Sequence, residues 1–165
     1  MTGLDLVLAA IAADEGGVKN VGDGKGVTYY GQTPEWLTTY GLPVPQSPQQ
    51  AMSNWSVWLA KVQLDRIVLP TYDAFAHIVI DYAVHSGSFR AIRALQSALR
   101  VKADGVMGPQ TLAALSVANR SALGRLVIAA GLELEGRLIT DRPDQYATYA
   151  AGWANRRARM IRRLT

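Results

Sequence analysis

The chain has 165 residues, of which 49% are hydrophobic and 18% charged, with 17 Lys and Arg against 13 Asp and Glu and a formal charge of +4. That length holds one sizeable core, or one core with a small lobe, and leaves no room for a second enzyme domain. There is no cysteine to build a disulfide framework, and neither a basic leader nor an apolar run of bilayer-crossing length, so no signal peptide and no stable membrane insertion is expected.

Leu4, Val7, Leu8 and Ile11 recur at helical spacing, and Thr2 with Asp5 forms a T-x-x-D start signal, so a first helix is predicted to open at Thr2. Four residues beyond Ile11 stands Glu15, on the same stripe, followed at once by Gly16 and Gly17. A glycine there supplies the left-handed conformation that often ends a helix, and a second lets the chain turn away without covering the carboxyl group. A carboxyl group at the edge of apolar surface is desolvated, which disfavours its charged form, as a general acid requires. The alternative is a helix-terminal acid whose side chain swings into water.

Glycines and polar residues between positions 16 and 33 rule out a long helix there, whereas Val27, Thr28, Tyr29 and Tyr30 are β-branched or aromatic and predict a short hairpin. Such a hairpin would fold Asp23 and Thr28 back towards the end of the first helix. Trp36 and Tyr40 then fall in a region read as loop. Ser47-Pro48-Gln49-Gln50 is a capping box with proline at the first helical position, and Ala51, Met52, Trp55, Trp58, Leu59 and Val62 continue it, predicting a helix over 48–64 with Trp55 and Trp58 in the core. Thr71 is expected to cap a helix carrying Phe75, Ile78, Val79 and Tyr82, which Ser86-Gly87-Ser88 breaks before another with Ile92, Leu95 and Leu99. Asp104-Gly105 and Gly108-Pro109 predict two turns ahead of a short helix through Leu112 and Leu115. Ser121 is expected to start the longest late helix, through Leu126, Val127, Leu134 and Leu138, with Pro143 and Gly152 punctuating the approach to a last one.

An acid at a helix end followed by an aspartate and a threonine on a small β element resembles the Glu, Asp, Thr arrangement of phage-type lysozymes. More specifically, Glu15-Gly16-Gly17 followed by Gly26-Val27-Thr28-Tyr29-Tyr30-Gly31-Gln32-Thr33 resembles the signature of the glycoside hydrolase family 108 muramidases, E-G-G and then G-G-A-T-N-Y-G-I-T. The similarity continues through Leu69-Pro70, Asp81-Tyr82-Ala83-Val84-His85-Ser86-Gly87 and Ala91-Ile92-Arg93-Ala94-Leu95-Gln96. It ends in Asp104-Gly105-Val106-Met107-Gly108-Pro109-Gln110-Thr111 and Gly152-Trp153-Ala154-Asn155-Arg156, in that family's peptidoglycan-binding-like region. The chain departs from the pattern where D-P-D-D-P-G-G is usual, keeping only Asp23 in a shortened segment, and Tyr29 and His85 each replace a usual asparagine.

The resemblance implies a mainly α fold of the α+β lysozyme-like kind, a helical bundle with a small β-hairpin beside the catalytic cleft. It implies a catalytic region over 1–87 and a helical peptidoglycan-binding-like lobe over 88–165, packed with it as one compact unit. The activity implied is hydrolysis of the β-1,4 bond between N-acetylmuramic acid and N-acetylglucosamine, with Glu15, Asp23 and Thr28 catalytic and Tyr29, Tyr30, Trp36 and His85 lining the substrate site. A lytic transglycosylase, or a non-catalytic peptidoglycan-binding virion protein, stands as the alternative. The setting implied is a phage endolysin, monomeric, held in the host cytoplasm until a holin assists its export to the wall.

His77, Asp81 and His85 share a helix face at spacings of four and carry metal-ligand chemistry. Three ligands spread over two turns do not converge on one ion without a bend, and H-E-x-x-H is absent, so no metal or other cofactor is expected and Asp81 is read as a structural acceptor. Arg156, Arg157, Arg159, Arg162 and Arg163 crowd the C-terminus. No helix-turn-helix or aromatic-basic strand pattern accompanies them, so no nucleic acid is expected, and the polyanionic wall is the partner such charge would meet.

Overall fold

The computed structural model describes residues 1–20 and 26–165, and Asp23 lies outside the described residues. Helix α1, Gly3–Glu15, opens on Thr2, whose hydroxyl accepts from the Asp5 amide at 3.2 Å while the Asp5 carboxylate accepts from the Thr2 amide at 2.7 Å. This reciprocal box satisfies donors that a helix start otherwise leaves orphaned. It closes on Gly16, where φ is positive at 73° but ψ is −156°, so the chain leaves extended instead of passing through the left-handed helical region. Strands β1, Val18–Asn20, and β2, Val27–Tyr29, pair antiparallel with Lys19 opposite Thr28.

Helix α2, Pro34–Tyr40, occupies the segment expected to be loop. Thr33 caps it by accepting from the Trp36 amide at 3.2 Å, Pro34 sits where no amide is needed, and Gly41 at φ 65° and ψ 39° ends it. Helix α3, Pro48–Lys61, starts on the Ser47 cap as expected but stops three residues early. Gln63 takes a left-handed φ of 60° and a 3₁₀ turn, Leu64–Ile67, follows. Val7, Leu8, Ile11, Leu37, Trp55, Trp58, Leu59 and Leu64 are buried in the compact unit that these elements form, Met1–Asp73. Burying each such side chain contributes about 1.5–3 kcal/mol.

The second compact unit is Ala74–Thr165. It holds α4, Ala74–Ser86; α5, Ser88–Ala98; α6, Pro109–Ser116; α7, Arg120–Asp141; the short α8, Pro143–Tyr146; and α9, Ala150–Arg162. Residues 75–83 of α4 are all buried, so this helix is covered around its whole circumference, His77 and Asp81 included, and packs on α5 and α7. Helix α4 belongs to the packing of this unit. Gly87, at φ 90°, separates α4 from α5 as expected.

Three further boundaries differ from expectation. Thr71 does not cap α4, because residues 69–71 press on the first turn of α1: a Cβ on Gly3 would lie 2.0 Å from the Leu69 carbonyl oxygen and 2.5 Å from that of Thr71. Asn119, not Ser121, caps α7, its side-chain oxygen accepting from the Ala122 amide at 2.9 Å. Gly152 is absorbed into α9. The mainly α class with one small hairpin is as expected. No described helix is long and apolar enough to cross a membrane.

Candidate active site

Glu15 is the last residue of α1 and is half-buried, and its backbone carbonyl accepts from the Lys19 ammonium at 3.0 Å. The turn after β2 comes up against it. Tyr29 and Gln32 exchange two backbone hydrogen bonds of 2.9 Å, with Tyr30 at φ 52° and Gly31 at φ 80° between them. Two successive positive φ values are the mark of a type I′ turn, which matches the twist of a hairpin. A Cβ placed on Gly31 would stand 2.7 Å from Glu15 Oε2 and 2.9 Å from its Cδ. With the Glu15 side chain in this position a Cβ has no room there, so the bare backbone of the turn forms one wall of the carboxyl group's setting. The Tyr30 amide also donates to the Gly17 carbonyl at 3.1 Å, tying the turn to the residues that follow the acid.

A buried amide pair fixes this turn from behind. Gln32, 1% exposed, donates from Nε2 to the Ala51 carbonyl at 2.8 Å and accepts at Oε1 from Asn54 Nδ2 at 2.8 Å. Asn54 in turn donates to the Pro43 carbonyl at 2.8 Å. Buried amides that meet all these partners define one arrangement, since any other strands a desolvated polar atom. Neither Gln32 nor Asn54 was singled out by sequence, because the partners lie 19 and 22 residues away.

The remaining expected residues divide between the two units. Thr28 is half-buried on β2 and its hydroxyl donates to the Lys19 carbonyl at 3.3 Å. Tyr29 and Tyr30 are half-buried at the turn. Trp36 packs edge-on against Trp58 at a centroid distance of 5.5 Å and lies tilted against Tyr40 at 5.3 Å, so its ring is anchored in an aromatic cluster on α2 and α3. His85 lies in the second unit at the end of α4, exposed, with its ring edge-on to Trp153 at 6.1 Å. Trp153 stacks on Tyr149 at 5.8 Å and meets Tyr146 at 6.0 Å, an aromatic cluster that spacing in the sequence did not reveal. Desolvation, then the positive charges of Arg156 and Arg157, push the His85 pKa down to about 4 against the opposing pull of Asp81. Its open surface screens part of this, but both cations act in the same direction.

Asp81 is fully buried and holds Arg156 bidentately, at 2.7 Å to Nη2 and 2.9 Å to Nε. It is therefore a structural acceptor, as expected. Arg157 is 1% exposed, paired with Glu135 at 2.5 Å and seated 4.8 Å over the Tyr82 ring. Two of the five C-terminal arginines are thus internal struts, which removes them from the basic surface that the sequence suggested.

Gln96 organises the loop between α5 and α6. Its buried Nε2 lies 2.9 Å from Asp104 Oδ1, 2.9 Å from the Val106 carbonyl and 3.1 Å from Thr111 Oγ1, while Oε1 accepts from the Gly105 amide at 2.8 Å. Hydrogen bonds from Gln96 and then from the Val106 amide hold the Asp104 carboxyl below its usual pKa. The Asp104 to Thr111 motif is therefore a pinned loop on this unit.

Residues 90–158, the segment that contains this loop, match the family described as a predicted peptidoglycan domain. This part of the chain is peptidoglycan-related. The whole chain is similar to the structure of Brucella abortus SagA, with a TM-score of 0.78 and 27% sequence identity over 98% of this chain and 92% of that one. No curated protein matches the chain.

Proposed function

We propose that the protein is an endolysin of the glycoside hydrolase family 108 type, a muramidase that cuts the β-1,4 bond between N-acetylmuramic acid and N-acetylglucosamine. The observation that carries this reading is the half-buried Glu15 carboxyl at a helix end, with the glycine of a type I′ turn fitted against it. The peptidoglycan-related segment at 90–158 and the likeness to SagA support it. In this reading residues 1–87 form the catalytic region and 88–165 the wall-binding lobe, and the chain works as a monomer that a holin releases from the host cytoplasm.

Glu15 protonates the leaving glycosidic oxygen. Asp23 is the second carboxylate, activating water or stabilising positive charge on the sugar, and Thr28 helps to hold that water. Tyr29, Tyr30, Trp36 and His85 meet the sugar chain, flat rings being suited to its apolar faces. Mass analysis of digested peptidoglycan tests the proposal. Muropeptides ending in reducing N-acetylmuramic acid are expected, and Glu15→Gln should release almost none while remaining folded. Predominantly 1,6-anhydro products would instead assign a lytic transglycosylase, reducing N-acetylglucosamine ends would move the cut to the other bond, and no product at all would leave a binding protein.

A further inference from the structure

Helices α5 and α7 pack together within the second unit and leave a concave surface of about 310 Å³ between them. Ala94 and Ala98 from α5 and Ala129 and Ala130 from α7 give it small apolar walls, and Leu126, 52% exposed, extends them. Outward positions of surface helices ordinarily carry long polar side chains, so alanines here open a groove where lysines or glutamates would fill it. Two charged residues line the same groove. Arg100 follows α5 at a left-handed φ of 58°, and Glu133 projects from α7. Both are exposed, and neither side chain has a hydrogen bond or ion pair among the described residues. The groove thus joins apolar walls to one free cation and one free anion.

We propose that this groove binds the short peptide stem of peptidoglycan, a further site that rests on the peptidoglycan reading above. The stem is built of alanine, glutamate and a diamino acid, and it offers methyl side chains, free carboxylates and an ammonium group. The Arg100 guanidinium suits a carboxylate through paired hydrogen bonds, Glu133 suits the ammonium, and the alanines receive the methyl groups. The size lies at the lower end for ligand sites, which fits a few small residues. Sugar rings would call for aromatic faces, and no aromatic side chain lines the groove. The whole groove falls within the peptidoglycan-related segment.

The test uses the full-length chain as Glu15→Gln, so that the ligand is not digested, titrated separately with free stem tetrapeptide and with glycan strands stripped of peptide, and followed by amide chemical shifts. The tetrapeptide should shift residues of α5 and α7 and saturate, and Arg100→Glu or Ala129→Trp should each weaken it at least tenfold with the helical signal unchanged. Both positions are exposed, so neither change disturbs the core. No saturable shift with tetrapeptide, equal affinity in the two variants, or shifts at the groove only with bare glycan strands would overturn the proposal. The same groove variants in the otherwise unaltered chain should still cut bare glycan strands. Loss of cutting in the unaltered chain would refute the muramidase reading instead.

Discussion

Glu15 and Gly31 show how closely one residue's chemistry depends on another's lack of a side chain. Gly31→Ala must place a methyl group within 2.7 Å of Glu15 Oε2 and hold alanine at φ 80°, a strain of about 1–3 kcal/mol. The carboxyl group has to move, and a displacement near 1 Å at a reacting group costs ~100-fold in rate. We therefore expect Gly31→Ala to fold with a lowered melting temperature and to lose most wall-clearing activity. Gly17→Ala is the control, since a Cβ there meets nothing within 4 Å, and it should leave both nearly unchanged. Equal effects at the two glycines would show that the contact has no consequence. His85 makes a second prediction at this scale. Between its ordinary value of 6.5 and about 4, the unfolded chain carries a proton on this residue and the folded protein does not. Its contribution to stability is therefore complete above 6.5 and is lost as pH falls through that window, before Asp5 and Asp104, held below 3.8, begin to take up protons. The melting temperature should decline from pH 6.5 to 4, and His85→Gln should flatten that decline; an unchanged slope would assign it to other groups.

Helices and loops here are held by a few buried polar side chains acting across elements. Gln96 from α5 pins the loop that carries Asp104 and Gly105, and Thr111 at the start of α6 closes the same network. Gln96→Leu keeps the approximate volume but leaves the Gly105 amide and the Val106 carbonyl without these partners, at a cost of about 1–3 kcal/mol. A lower denaturant midpoint is expected, together with faster amide exchange at Gly105 and Val106 and little change in α9. If exchange quickens throughout the unit instead, Gln96 is a general core residue and not the organiser of this loop. Arg156 on α9 does the corresponding work across the unit by reaching Asp81 on α4, and Arg157 reaches Glu135 on α7.

Across the whole molecule, a charge of +4 favours approach to a polyanionic wall, and surface charges are screened beyond about 10 Å at 0.1 M salt. Clearing of intact walls should slow as salt rises towards 0.5 M, while cleavage of short soluble glycan fragments should change much less; parallel declines would point to an effect on the site itself. The amino-acid sequence by itself determined the mainly α class, the hairpin, the Thr2 and Ser47 caps and the placing of Glu15 at a helix end. All of these are local, set by side-chain spacing along one helix or by glycines and capping residues within a few positions. The Thr33, Pro34 and Gly41 signals of α2 were equally local, though the region's tyrosines and glycines read as loop. Tertiary structure alone decided that Gly31 meets Glu15, that Gln32 and Asn54 lock the turn, and that Arg156 and Arg157 turn inward. Each joins residues well separated along the chain, up to 75 positions for Arg156 and Asp81. No periodicity carries that information, because a contact between distant segments is fixed only when packing brings their surfaces together and makes an unpaired buried charge or a misplaced methyl group costly.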